Sequence, residues 1–215
     1  MKKALIVFAH PEPRSLNGHL KDISVRTLEE QGYSVTVSDL YGERFKPLFD
    51  KSDYPFYKDE IFSPGKANGM AVSLNQLAPD VRREKERLED ADLIIFQFPV
   101  WWFTCPSMLH AYFERVFLPG WAYYTDSPAL EGKKAVLSVT TGGKKENYVA
   151  VAAGTIGQVL HHLLVGTLGF VKMQVLEPIA VYEVLGLSDE ERAGAIRQFE
   201  EDIRNIENRP LFNPW

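Results

Sequence analysis

The chain has 215 residues, with 24 basic and 29 acidic side chains, a net charge of −5 and 45% hydrophobic residues. That is the length of one domain with a modest addition, enough to bury a substantial core. The acidic balance offers no basic stripe to hold nucleic acid or an anionic membrane, and the single cysteine, Cys105, excludes an internal disulfide and suits a reducing compartment, the cytosol by default.

Lys2-Lys3 precede an apolar run from Ala4 to Ala9 that is too short for a signal peptide or a membrane span. Bounded by His10-Pro11, it reads as a strand buried on both faces of a parallel sheet. Leu20, Ile23, Val25 and Leu28 then predict a helix over 16–31 with Ser15 as its N-cap, and the alternating segment Tyr33 to Ser38 predicts a second strand. From Gly42 to Pro79 regular patterning gives way to prolines, glycines and aromatics. This is an excursion with short helical pieces, placed to cover a ligand.

Asp80 to Asp90 predicts a charged helix with a solvated face, leading directly into a third strand, Leu93 to Phe98. A helix over Pro106 to Phe117, a fourth strand over Lys134 to Thr140, a helix over Gly154 to Leu168 and a fifth strand over Val171 to Leu176 follow. Ser188-Asp-Glu-Glu191 has the form of a capping box and opens a last helix running to about Asn205, with Leu211 to Trp215 as a tail. Five apolar strands alternating with helices predict one α/β domain, a doubly wound parallel sheet of flavodoxin-like order 2-1-3-4-5.

Three segments follow strands one, three and four, so this fold brings them to one sheet edge, where open α/β sheets bind ligands. His10 to Asn17 lacks a Gly-rich fingerprint, yet places Ser15 and Asn17 at a helix start, where backbone amides suit a phosphate. Ser15 acting only as a cap is the alternative. Glu12 argues against an anion there unless it points away, and Arg14 argues for one. Pro99, Val100, Trp101, Trp102 and Phe103 put flat apolar surface in a turn, suited to a planar aromatic ligand or else to packing on a partner subunit or the excursion. Thr140, Thr141, Gly142 and Gly143 offer hydroxyls and closely approachable backbone amides, although a simple turn would need the same residues. Together they make a phosphate seat, a stacking wall and a ring edge of donors, the requirements of a flavin nucleotide.

Ala-His-Pro-Glu-Pro-Arg-Ser-Leu-Asn at 9–17, Phe-Gln-Phe-Pro-Val-Trp-Trp-Phe at 96–103, Gly-Trp-Ala-Tyr at 120–123 and Ser-Val-Thr-Thr-Gly-Gly at 138–143 jointly resemble the NAD(P)H:quinone oxidoreductase family of DT-diaphorase-like flavoproteins. The resemblance also takes in the ancillary proteins of potassium-efflux systems. It implies a cytoplasmic homodimer with one FAD per subunit, in preference to FMN, and an active site at the dimer interface. NAD(P)H and a quinone would occupy one pocket in turn, in a two-electron ping-pong reaction. Two alternatives keep the fold, an azo- or nitroreductase and a redox-sensing subunit of a membrane transporter.

Carried over by position, the resemblance assigns His10, Ser15, Leu16 and Asn17 to the ribityl and phosphate region. Pro99 to Phe103 and Thr140 to Gly143 would line the isoalloxazine, with Arg192 near the phosphates. Tyr148 lies beside the flavin as the catalytic candidate, Trp102 and Phe103 face the substrate, and Tyr123 reaches into the other subunit's pocket. The family's relay histidine falls here on Gly154, leaving Tyr148 or water to move the proton. His161 and His162 match a structural helix segment, and the pocket-floor aromatic is replaced by Met173. No metal site is expected.

Overall fold

The computed structural model describes residues 1–152 and 154–213, the side chains of 149–152 excepted. Four full strands form its parallel sheet: β1 (Lys3–Phe8), β2 (Ser34–Asp39), β3 (Leu93–Pro99) and β4 (Lys134–Thr140). The fifth position is shared by two short strands, β5 (Gln174–Val175) and β6 (Ile179–Val181), and the sheet order is β2-β1-β3-β4-β5 with β6 also on β4. Ala4 pairs with Leu93 and Leu93 with Lys134, so the strand ends are aligned across the centre of the sheet.

The expected single strand over 171–176 is therefore corrected. β5 pairs with Lys134 and Ala135 at the start of β4, whereas β6 pairs with Ser138 to Thr140 at its end. Pro178 lies between them and has no N–H to give a ladder, which interrupts the pairing.

Alternation along the buried strands sorts their side chains into two cores. Leu5, Val7, Ile94, Phe96, Phe98 and Leu137 face one layer, which contains Leu109 and Tyr112. Ala4, Ile6, Ile95 and Val136 face the other, with Leu20, Ile23, Phe199 and Ile203. The first layer holds α3 (Pro79–Asp90) and α4 (Ser107–Val116), and the second α1 (Leu16–Glu30) packed beside the last helix, Asp189–Arg204.

The excursion contains one α-helix, α2 (Pro64–Ser73), and a satellite core of Tyr54, Tyr57, Ala67 and Ala71. It packs beside the sheet, over Arg115, and lines no part of the cleft described below. α3 has the expected solvated charged face at Glu86, Glu89 and Asp90, with one charged residue turned inward. Glu84 is buried, accepting from Ser38 Oγ at 2.5 Å and from Arg87 Nη1 at 2.8 Å. Asp80 and Asp53 both bind the buried guanidinium of Arg115, at 2.5 and 3.0 Å. Buried charges persist when paired in this way.

Between β4 and β5 the chain forms α5 (Lys145–Ala152), the single-turn α6 (Ile156–Val159) and a π-helix over His162–Gly169, in place of the one helix expected over 154–168. The final helix, numbered α7, has the expected capping box: Ser188 Oγ accepts from the Glu191 backbone, and Glu191 Oε2 from Ser188 N at 2.9 Å. Of the tail, Pro214 and Trp215 lie outside the described residues.

Candidate active site

At the carboxyl ends of β1, β3 and β4 lies an open cleft of about 820 Å3. Its walls are His10, Ser15, Leu16 and Asn17; Pro99 to Trp102; and Thr140, Gly142, Gly143 and Tyr148, together with Arg192. The three segments singled out in the sequence thus converge on one space.

The first wall is set by the start of α1. Ser15 Oγ accepts from Gly18 N at 3.1 Å, the N-cap bond expected, typically worth about 1 kcal/mol. Gly18 is required because a Cβ there would collide with the Pro13 carbonyl, so the 10–13 loop can lie directly on the helix. Glu12 N donates to His10 Nδ1 at 3.0 Å, and Ser15 Oγ lies 3.2 Å from the same nitrogen. Arg14 does not serve the cleft. It is bonded to Glu12 at 2.8 and 3.0 Å, and that pairing, first by side-chain and then by backbone hydrogen bonds, brings the Glu12 carboxyl down to about 2.

Asn17, 2% exposed, donates from Nδ2 to Thr140 Oγ1 at 2.9 Å, while its Oδ1 has no protein partner. A buried amide oxygen at the edge of a cleft is a ready acceptor for a ligand hydroxyl.

The second wall is strained. Trp101 and Thr104 exchange backbone hydrogen bonds at 3.0 Å, and the two residues between them, Trp102 and Phe103, have φ of 51° and 61°. Two-residue turns with positive φ normally take Asn-Gly. Left-handed backbone at a residue bearing a Cβ costs roughly 1–2 kcal/mol. The strain presents Trp102 to solvent, 94% exposed, whereas Phe103 turns its ring against Tyr148 at a centroid distance of 5.8 Å. Trp101 packs against His10 at 6.0 Å.

The third wall is the turn after β4. Thr141 is buried and its Oγ1 donates to Gly143 O at 2.8 Å, so it shapes the turn and does not line the cleft. A Cβ on Gly142 would meet only Leu185, at 4.0 Å, which leaves that backbone open to a flat ligand. Tyr148 stands on α5, not in a loop, between the rings of Phe103 and Tyr182.

Val184 and Leu185 complete the lining and were not anticipated. Val184 N donates to Thr141 O and Glu183 N to Gly143 O, both at 3.0 Å, which pins the loop after β6 over the glycines. No side-chain pattern in Val184-Leu-Gly-Leu-Ser188 marks these two lining residues, and Leu185 is 89% exposed.

Among the described residues Arg192 is the one formally charged side chain lining the cleft. Tyr123 and Met173 are not in its walls. Tyr123 packs with Tyr124 and Phe170 in a separate surface groove, and Met173 is buried in the core. At the position of the family's histidine, a Cβ on Gly154 would collide with the Gln158 side chain, whose Oε1 accepts from Thr155 N at 2.6 Å. No helix among the described residues is long and apolar enough to cross a membrane, and they hold no cluster of three metal-ligating side chains.

The family with the flavodoxin-like fold matches residues 2–205. A ribosyldihydronicotinamide dehydrogenase (quinone) of Pongo abelii is 40% identical over 212 residues, covering 95% of this chain and 92% of that protein. The NAD(P)H dehydrogenase (quinone) 1 of Cavia porcellus is 36% identical, covering 99% of this chain and 80% of its own. A crystal structure assigned as a quinone reductase, from Klebsiella pneumoniae, superposes with a TM-score of 0.91 at 32% identity, covering 98% of this chain and 87% of its own.

Proposed function

This chain belongs to the flavodoxin-like NAD(P)H:quinone oxidoreductase family and is a flavin-dependent quinone oxidoreductase; we propose that it holds FAD in the cleft between β1, β3 and β4 and uses one pocket for NAD(P)H and quinone in turn. The observation that carries this reading is the convergence of a helix start, an aromatic turn and a Thr-Thr-Gly-Gly turn on one cleft of about 820 Å3.

The residues present fit a flavin. The orphaned Asn17 Oδ1 and Ser15 meet a hydroxylated, phosphorylated chain, and the positive end of α1 favours its charge, with Arg192 opposite. Gly142 and Gly143 would admit the ring edge, and Pro99, Val100 and Trp101 would hold its face. When bound, the flavin supplies the chemistry, accepting two electrons as hydride from a reduced nicotinamide and passing them to a quinone.

The protein's share is positioning and exclusion of water. Trp102 gives both substrates the same flat wall, which makes their binding mutually exclusive. Tyr148, with its ring fixed between Phe103 and Tyr182, would supply the hydroxyl that exchanges a proton with the bound acceptor. Gly154 offers no imidazole for that task.

We further read the chain as a cytosolic homodimer. Tyr124 and Phe170 are 83% and 55% exposed beside Tyr123, and this apolar surface suits a second copy that would bring Tyr123 toward the shared pocket. Sedimentation showing a monomer at micromolar concentration would remove that part.

The test of the whole reading is the visible spectrum of the purified protein, with the released cofactor identified, before and after anaerobic NADPH and then a benzoquinone. FAD that bleaches and recovers supports it. A colourless protein that takes up neither FAD nor FMN overturns it.

A further inference from the structure

The strained Trp102–Phe103 turn needs holding, because packing cannot do it: Trp102 is 94% exposed. Phe103 leans on Tyr148 and Trp101 on His10, but both are ring contacts without directional bonds. The side chain of Thr104, the residue that closes the turn, shares a hydrogen bond at the protein surface with His162, Oγ1 lying 2.9 Å from Nε2. His162 lies 58 residues away and is the first residue of the π-helix, the rarest regular helix and one frequently found at functional sites.

The adjacent histidines do different work. His161 packs edge-on against Phe212, whereas His162 is turned to Thr104, and Thr167 Oγ1 donates to the His162 carbonyl from the next turn. Partial burial, and then neighbouring His110 and His161, hold the His162 pKa below the usual imidazole value.

We propose that His162 and Thr104 form a clamp that holds the Trp102–Phe103 turn in its left-handed form, making both of them positioning residues for the flat ligands that lie against Trp102. The assignment of those ligands rests on the proposed quinone reductase activity, but the clamp itself does not. It also gives the two histidines a division of labour that a helix register alone would not reveal.

The test is a double-mutant cycle of Thr104→Val and His162→Leu, with Thr104→Ser and His162→Gln as conservative partners. Thr104→Val removes only a hydroxyl and gains a methyl, so it serves should His162→Leu disturb the fold. The near-ultraviolet circular dichroism of the flavin-free protein reads the Trp101–Trp102 turn independently of any activity. In the flavin-loaded enzyme, KM for NADPH and for a benzoquinone is measured beside kcat. The clamp predicts that either single variant alters the tryptophan spectrum and raises both KM values about three- to tenfold with smaller change in kcat, that the double variant is no worse than the singles, and that the conservative pair restores both readouts. Tryptophan spectra unchanged in Thr104→Val, or effects that multiply in the double variant, overturn it. A changed spectrum in a chain that reduces no quinone would retain the clamp and reject only the activity.

Discussion

Asn17 Nδ2 donates to Thr140 Oγ1 across 2.9 Å, tying the start of α1 to the end of β4 beneath the cleft. The two residues are 123 positions apart in the chain. The bond orients the Asn17 amide so that its oxygen is the group offered to a ligand.

Thr140→Val should therefore act twice. Removing the hydroxyl leaves a buried amide without a partner, costing about 1–3 kcal/mol of stability in the flavin-free protein. It also frees the amide to turn, and flavin affinity should fall about tenfold, equivalent to about 1.4 kcal/mol. Denaturant unfolding and flavin titration read the two effects separately. Unchanged affinity would deny Asn17 its proposed place.

Trp102 offers a trade between stability and function. Glycine at 102 relieves a left-handed residue, worth roughly 1–2 kcal/mol, and gives back about 0.4–1 kcal/mol through the more flexible unfolded chain. The Trp102→Gly protein should be as stable as the parent, or up to about 1.6 kcal/mol more stable, while KM rises for nicotinamide and quinone together. A variant that weakened only one of the two substrates would contradict a shared wall.

Tyr148→Phe keeps the ring packing against Phe103 and Tyr182 and removes only the hydroxyl. Turnover should fall roughly 10²-fold with little change in KM, within the range of a lost general acid–base group. Rapid-mixing measurement of the two half-reactions decides it, and rates equal to those of the parent would rule out the proton role.

The Arg115 cluster predicts an acid limit. Burial pushes the Asp80 pKa up, but the hydrogen bond and charge of Arg115 more than offset that, and the net result lies below the ordinary 3.8. A carboxylate lowered in the folded state stabilises fully above its unfolded pKa, and this contribution is lost as pH falls from there through the folded value. Arg115→Met should cost about 3–5 kcal/mol at neutral pH and move the acid-unfolding midpoint upward, because Asp80 loses its guanidinium partner and Asp53 keeps only Lys46. Thermal melts from pH 7 down to 3 would show it, and parallel curves for variant and parent would exclude the linkage.

Much of this architecture was legible because local and tertiary signals agree in it. The run Ala4 to Ala9 can only be a strand covered on both sides, and Ser188 to Glu191 specifies a helix start with its own side chains. Convergence of the three site segments followed from strand order alone. Where the reading failed, the deciding partner was remote. Glu84 looks solvated until Ser38 and Arg87 are placed beside it. Arg14 looks available for an anion until Glu12 folds onto it. Apolar spacing at Leu163, Leu164 and Leu168 does not separate a π-helix from an α-helix, and a short strand beyond Pro178 is too brief to leave a pattern. Leu185 joins the cleft only through backbone bonds from its loop to Thr141 and Gly143, which no side chain announces.

Arg192 has one more consequence. It lies in the first turn of α7, near the end of the chain, and is the cleft's one formal positive charge among the described residues, since Arg14 is spent on Glu12. Whatever anion the cleft holds is thus tethered to the helix that follows the last strand of the sheet. Ligand occupancy and docking of that helix become a single equilibrium: a protease cutting near Leu185 to Ser188 would meet resistance in proportion to how full the cleft is, and the cut chain would shed its cargo.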